Sequence, residues 1–174
     1  MCEKLKNLFK KSKPAPEPEP TPEPELQKPT GYPKFKIHWV DLVKVLAENG
    51  IELRLRAKFA PDVWVYYTDE ESWAKIVPFL VYPADYYVSQ ACDCDEYAKK
   101  ASADASFEFE LNGCLQAWGE HDMSHAFGLV MTSLSTFKLF EMNAGFPWAG
   151  VLFDPEEILA PDEENGYTVE SWDL

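Results

Sequence analysis

Asp93-Cys-Asp-Glu-Tyr-Ala-Lys-Lys-Ala-Ser-Ala103 is where the sequence changes character. A helix is predicted over this stretch, with Cys94 in its first turn. Upstream, Tyr82–Gln90 is irregular and aromatic. Before that, Thr68-Asp-Glu-Glu71 reads as a capping box that starts a helix through about Val77, with Pro78 ending or kinking it. Ile51, Leu53, Leu55, Ala57 and Phe59 alternate with charged residues, which is the period of a strand. A first helix is predicted over Val40–Asn49, stopped by Gly50. Downstream the pattern turns to strands: Phe107–Leu111, Leu115–Trp118, Ala126–Thr132, Phe137–Glu141, Val151–Phe153 and Tyr167–Trp172. Turns are marked by Asn112-Gly113, Asn143-Ala-Gly145 and Asn165-Gly166. Helices first and antiparallel strands afterwards predict an α+β fold, with the N-terminal helices packed on an antiparallel sheet.

Working back to the N-terminus, residues 1–13 form a basic peptide whose Leu5, Leu8 and Phe9 share one helical face among lysines. Residues 14–30 are a Pro/Glu spacer; seven of the fourteen prolines fall in 14–29, and proline blocks both helix and sheet. An extended tether is expected there, leading into a domain over 31–174. Such a tail fits docking to a larger protein assembly.

Hydrophobic residues make up 46% of the 174, so a sizeable core is affordable and global disorder is excluded. The net charge is −14, and because residues 1–30 hold six lysines against five glutamates, the domain itself carries −15. A domain this acidic repels a phosphate backbone, so nucleic acid is not an expected partner. No apolar run is long enough to span a bilayer, and residues 1–13 lack the apolar core of a secretory signal. Four cysteines (Cys2, Cys92, Cys94, Cys114) are too few for a disulfide framework, so reduced thiols in a cytoplasm-like compartment are expected.

A thiol at a helix start meets unpaired amides and positive potential, which favour thiolate. His125 and Glu141 lie on consecutive predicted strands, which can set them side by side. The carboxylate would then fix the imidazole tautomer, and the imidazole would take the thiol proton. The structural alternatives are an inert packing thiol at Cys94, a core histidine at His125 and an exposed carboxylate at Glu141. Cys92 reads as structural and His121, in Gly119-Glu-His-Asp122, as a loop histidine.

Asp93-Cys-Asp-Glu-Tyr-Ala98 resembles the Asp-Cys-Asp-Asp/Glu-Phe/Tyr-Ala motif of papain-like cysteine protease domains in phage and bacterial proteins. These are similar to the C-terminal protease domain of the Marasmius oreades agglutinin. Upstream, Ala60-Pro-Asp62, Tyr66-Tyr-Thr68, Trp73 and Tyr86 match the approach to that cysteine, and Ser124-His-Ala-Phe127 resembles the histidine strand. Phe140-Glu-Met-Asn143 resembles a strand ending Glu-Pro-Gln, with Met142 and Asn143 in place of the last two. The likeness covers roughly residues 50–145. It implies a papain-like or transglutaminase-like fold and a triad of Cys94, His125 and Glu141, with Asn143 at the family's Gln position. Asn143 can instead be turn chemistry. Bacterial transglutaminase-like cysteine peptidases share the helix start and a later His-Ala strand.

The implied activity is a thiol hydrolase or transferase acting on amide bonds of a protein or peptide. The alternative is a non-catalytic module of the same fold, tethered by its tail to an assembly such as a phage virion; the corresponding location is cytoplasmic or virion-associated. No cofactor is required. Calcium is a secondary expectation at Asp93, Asp95 and Glu96, which are hard oxygen ligands but not an EF-hand loop. The Cys-x-Cys pair lacks a second half for zinc.

Overall fold

The computed structural model describes residues 26–53, 62–121, 123–154 and 168–173. Residues 1–13, most of the Pro/Glu spacer, residues 54–59 of the Ile51–Phe59 strand and the turn at Asn165-Gly166 lie outside these. Among the described residues, no helix is long and apolar enough to cross a membrane.

The first element among the described residues is β1 (Phe35–His38), which runs directly into α1 (Trp39–Glu48). His38 caps that helix, its Nδ1 accepting from the Val40 amide at 3.2 Å. Gly50, at φ 76, takes the left-handed turn that ends it. β2 (Glu52–Leu53) and β3 (Trp64–Tyr67) follow, and β3 pairs antiparallel with β1. α2 (Glu70–Ile76) starts one residue later than the capping box implied. Its cap is Asp69, which accepts from the Ser72 amide at 2.8 Å, while Thr68 donates its hydroxyl to the Pro33 carbonyl. Two short 3-10 turns, Val77–Leu80 and Ala84–Tyr86, lead to α3 (Cys94–Phe109). Then come β4 (Cys114–His121), β5 (Met123–Met131), β6 (Phe137–Phe140) and β7 (Thr168–Asp173).

The architecture is α+β. The main sheet has the order β2-β7-β4-β5-β6, and all its pairings are antiparallel except β2 with β7. Helices pack on both faces of the sheet rather than on one. Alternation along the strands explains why. Leu115, Ala117, Phe127, Leu129, Phe137 and Leu139 face one core with Leu42 and Leu46 of α1 and with the β1–β3 ribbon. Cys114, Ala126, Val130 and Phe140 face the other, with Trp73 and Ile76 of α2 and Tyr97, Ala98, Ala101 and Ala105 of α3. The alanines let α3 lie close to the sheet. Trp73, fully buried, is fixed to it by an indole hydrogen bond to the Met131 carbonyl at 3.0 Å.

Three sequence expectations are corrected. Phe107–Leu111 is not a strand, because α3 continues through Phe109 and closes when Leu111 N–H bonds to the Ala105 carbonyl around a left-handed Glu110. The Phe-x-Phe alternation misleads: two residues along a helix is a rotation of roughly 200°, so Phe109 is buried and Phe107 is 86% exposed. Gly119–His121 is strand, not turn, since β4 pairs with β5 out to His121↔Met123. Val151–Phe153 supplies only an isolated bridge, Leu139↔Phe153.

Candidate active site

α3 presents Cys94 as its first residue, and a reciprocal capping box between Asp93 and Glu96 defines that start. Glu96 accepts from the Asp93 amide at 3.3 Å. Asp93 also holds the preceding loop by accepting from the Gln90 amide at 2.9 Å. Val88 and Cys92 bridge across that loop, with Gln90 at its tip in a left-handed conformation (φ 63). Cys94 is therefore placed by local chain geometry: a tight turn, then a capped helix. Its side chain is half-buried.

His125 reaches the thiol from the sheet. The β5–β6 ladder ends at Gly128↔Phe140, so His125 and Glu141 lie just beyond it. Continued register would set Glu141 opposite Phe127, diagonal to His125 on the same face. The observed contact fits: His125 Nε2 lies 2.8 Å from Glu141 Oε2. Glu141 is 1% exposed. Its other oxygen accepts from the Met142 and Asn143 amides at 3.0 and 2.9 Å, so the carboxylate is held from two sides. Burial pulls the imidazole pKa down, but hydrogen bonding to Cys94 and to Glu141, with their charges, prevails and lifts it to about 9. With Nε2 facing the carboxylate, Nδ1 is the ring nitrogen that serves the thiol.

Cys94, His125 and Glu141 thus converge. Asn143 does not join them through its side chain. Its Oδ1 accepts from the Gly145 amide at 2.8 Å and its carbonyl from the Phe146 amide at 3.0 Å, so it is a turn residue. That turn matters to the site, because it sets the Phe146 ring 6.0 Å from the His125 ring, centroid to centroid. The loop returns to Glu141, whose carbonyl accepts from Gly150 N–H at 2.9 Å. Phe146 and Gln90 were not singled out from the sequence; the Asn143-Ala-Gly145 turn was the signal for the first, and a left-handed non-glycine residue leaves none for the second.

The acidic residues at the helix start are engaged among themselves and with one lysine. Lys99 pairs with Asp95 and lies 2.9 Å from Glu96. Hydrogen bonding from Lys99 holds the Asp95 carboxyl down at about 2. Asp93, Asp95 and Glu96 bring ligand oxygens within 4.8 Å of one another, and Asp95 and Glu96 already share Lys99 as a cation. Cys92, Cys94 and Cys114 are free thiols; burial pushes Cys114 up to about 12, which marks it as a packing residue. Two open clefts of about 430 and 420 Å³ lie elsewhere, around Ser106–Glu110 at the far end of α3.

No protein-family model matches the chain, and no curated protein matches it either.

Proposed function

We propose that the protein is a papain-like thiol hydrolase or acyltransferase acting on amide bonds of proteins or peptides. The observation that carries this reading is the chain of contacts from Cys94 at a helix start to His125 and on to a buried Glu141 at 2.8 Å. The Cys94 sulfur transfers its proton to His125 and attacks the amide carbonyl carbon, whose oxygen becomes an oxyanion. The first amides of α3, at whose start Cys94 sits, are the donors for it. Collapse breaks the C–N bond; the imidazolium gives its proton to the departing amine and leaves a thioester on Cys94. Water, deprotonated by His125, then releases the carboxylic acid; an amine in place of water gives transfer. Glu141 keeps the imidazole oriented and favours its charged form throughout.

The second reading, a non-catalytic module of the same fold docked through its tail in a larger assembly such as a virion, is favoured by one observation: an open cleft lined by Pro29, Thr30 and Gly31 lies where the tail joins the domain. Alkylation of Cys94 by iodoacetamide at mildly acid pH separates the two. An activated ion pair reacts fast in the wild type and slows in His125→Ala. Equal, slow rates in both proteins support the module.

A further inference from the structure

We propose that the loop beside Cys94 is the docking surface for the chain's own N-terminal segment, residues 3–11. Tyr86, Tyr87 and Val88 are 56%, 48% and 56% exposed, and they form the longest unbroken run of exposed large apolar side chains among the described residues. The loop is not loose. Val88 and Cys92 are bonded in both directions, at 2.8 and 2.7 Å. Asp93 holds Gln90, and Tyr97 donates its hydroxyl to the Pro83 carbonyl at 2.6 Å. A rigid apolar patch held out to solvent is a binding feature rather than a packing error. Four acids flank it along the chain, Asp85, Asp93, Asp95 and Glu96, with Lys99 paired to the last two.

Residues 3–11 are complementary to this surface in both respects. Leu5, Leu8 and Phe9 supply the apolar side, and four lysines against one glutamate supply the charge. The tether also reaches. Leu26–Lys28 leads onto the C-terminal end of α3, where Lys28 pairs with Glu108 and stands 5.8 Å over the Phe109 ring. Cys94 is at the opposite end of the same 16-residue helix, roughly 24 Å away at helical rise. Twelve residues such as 14–25, rich in alternating proline, would reach roughly 37 Å if extended as polyproline. Docking within one chain is therefore geometrically permitted, and the short tether gives it a high effective concentration.

The test uses the full chain, at dilute concentration, as an equal mixture of unlabelled and nitrogen-15-labelled protein, cross-linked with a carbodiimide and read by mass spectrometry. The expected result is same-isotope links from Lys4, Lys6, Lys10 or Lys11 to Asp85, Asp93, Asp95 or Glu96. The Leu5→Asp/Leu8→Asp/Phe9→Asp variant, which keeps the lysines, should lose these links roughly tenfold or more. Amide exchange over residues 84–92 should accelerate in that variant. Mixed-isotope links would mean a second copy is the occupant and would overturn the proposal. Links spread over remote acids such as Glu70 and Glu71, unchanged in the variant, would reduce it to general charge attraction. Unchanged exchange over the loop, with binding of the wild type but not the variant to phosphatidylserine vesicles, would make residues 3–11 a membrane peptide instead.

Discussion

His125 is pulled two ways, and the outcome sets its pH behaviour. Burial disfavours the imidazolium; Cys94 and Glu141 restore it and carry its pKa to about 9 against an ordinary 6.5. A folded value above the unfolded one stabilises the fold fully below about pH 6.5, and that contribution is lost as pH rises through about 9. Proton NMR of the ring should show a midpoint near 9, and Glu141→Gln should lower it, because an amide can accept a hydrogen bond but supplies no charge. A wild-type midpoint at or below 6.5 would dissolve the ion pair. Cys94 and Cys114 should also part company. Iodoacetamide should modify Cys94 in the native protein, whereas Cys114, 1% exposed, should react only on unfolding. Cys94→Ala should abolish amide cleavage yet cost about 1 kcal/mol or less, since the side chain is only half-buried.

At the scale of elements, the site depends on the β5–β6 pair and on the start of α3. Gly128 faces Phe140 across that pair, and a Cβ there would fall 2.1 Å from the ring. Gly128→Ala should therefore cost about 2 kcal/mol by overpacking, measured by urea denaturation, and should slow Cys94 alkylation by shifting His125 against Glu141. Unchanged stability would mean the Phe140 ring can swing aside. At α2, Asp69→Ala removes the acceptor of the Ser72 amide and should cost about 1 kcal/mol. Its carboxyl is held below the usual range first by a hydrogen bond from the Ser72 side chain and then by that amide. The cap's contribution is thus present above the unfolded carboxylate pKa and is lost as pH falls through the folded value.

The whole molecule carries −14, and the domain alone carries −15. Self-repulsion of like charge opposes compactness and is screened by salt. Thermal stability should accordingly rise with added sodium chloride, read by calorimetry. A fall would mean that specific pairs, such as Lys138 with Asp154 at 2.9 Å, outweigh the repulsion. The two cores lie back to back across the main sheet, so α1 and α3 are coupled through β4 and β5 rather than by direct packing.

Several local features were legible in the sequence because their causes are local. Gly50 ends α1 through its own backbone freedom, and Asn112-Gly113 precedes β4 because Gly113 must approach the Tyr66 carbonyl closely. Asp93-Cys-Asp-Glu96 announces a helix start since its box closes within four residues. The order of Cys94, His125 and Glu141 was likewise readable. Other features required the tertiary structure. The alternation of Phe107, Phe109 and Leu111 satisfies a strand pattern, and only the sheet beneath α3 chooses the helix that buries Phe109 and leaves Phe107 in solvent. The insertion of β7 between β2 and β4 joins segments far apart in the chain, which no local signal specifies. The His125–Glu141 contact follows from where the β5–β6 ladder stops, and Asn143 became a turn residue because the loop after Glu141 must fold back on it. The sequence determined what could be decided by hydrogen bonds within one turn of chain. Contacts between distant segments were decided by how two apolar faces of one sheet are covered at once.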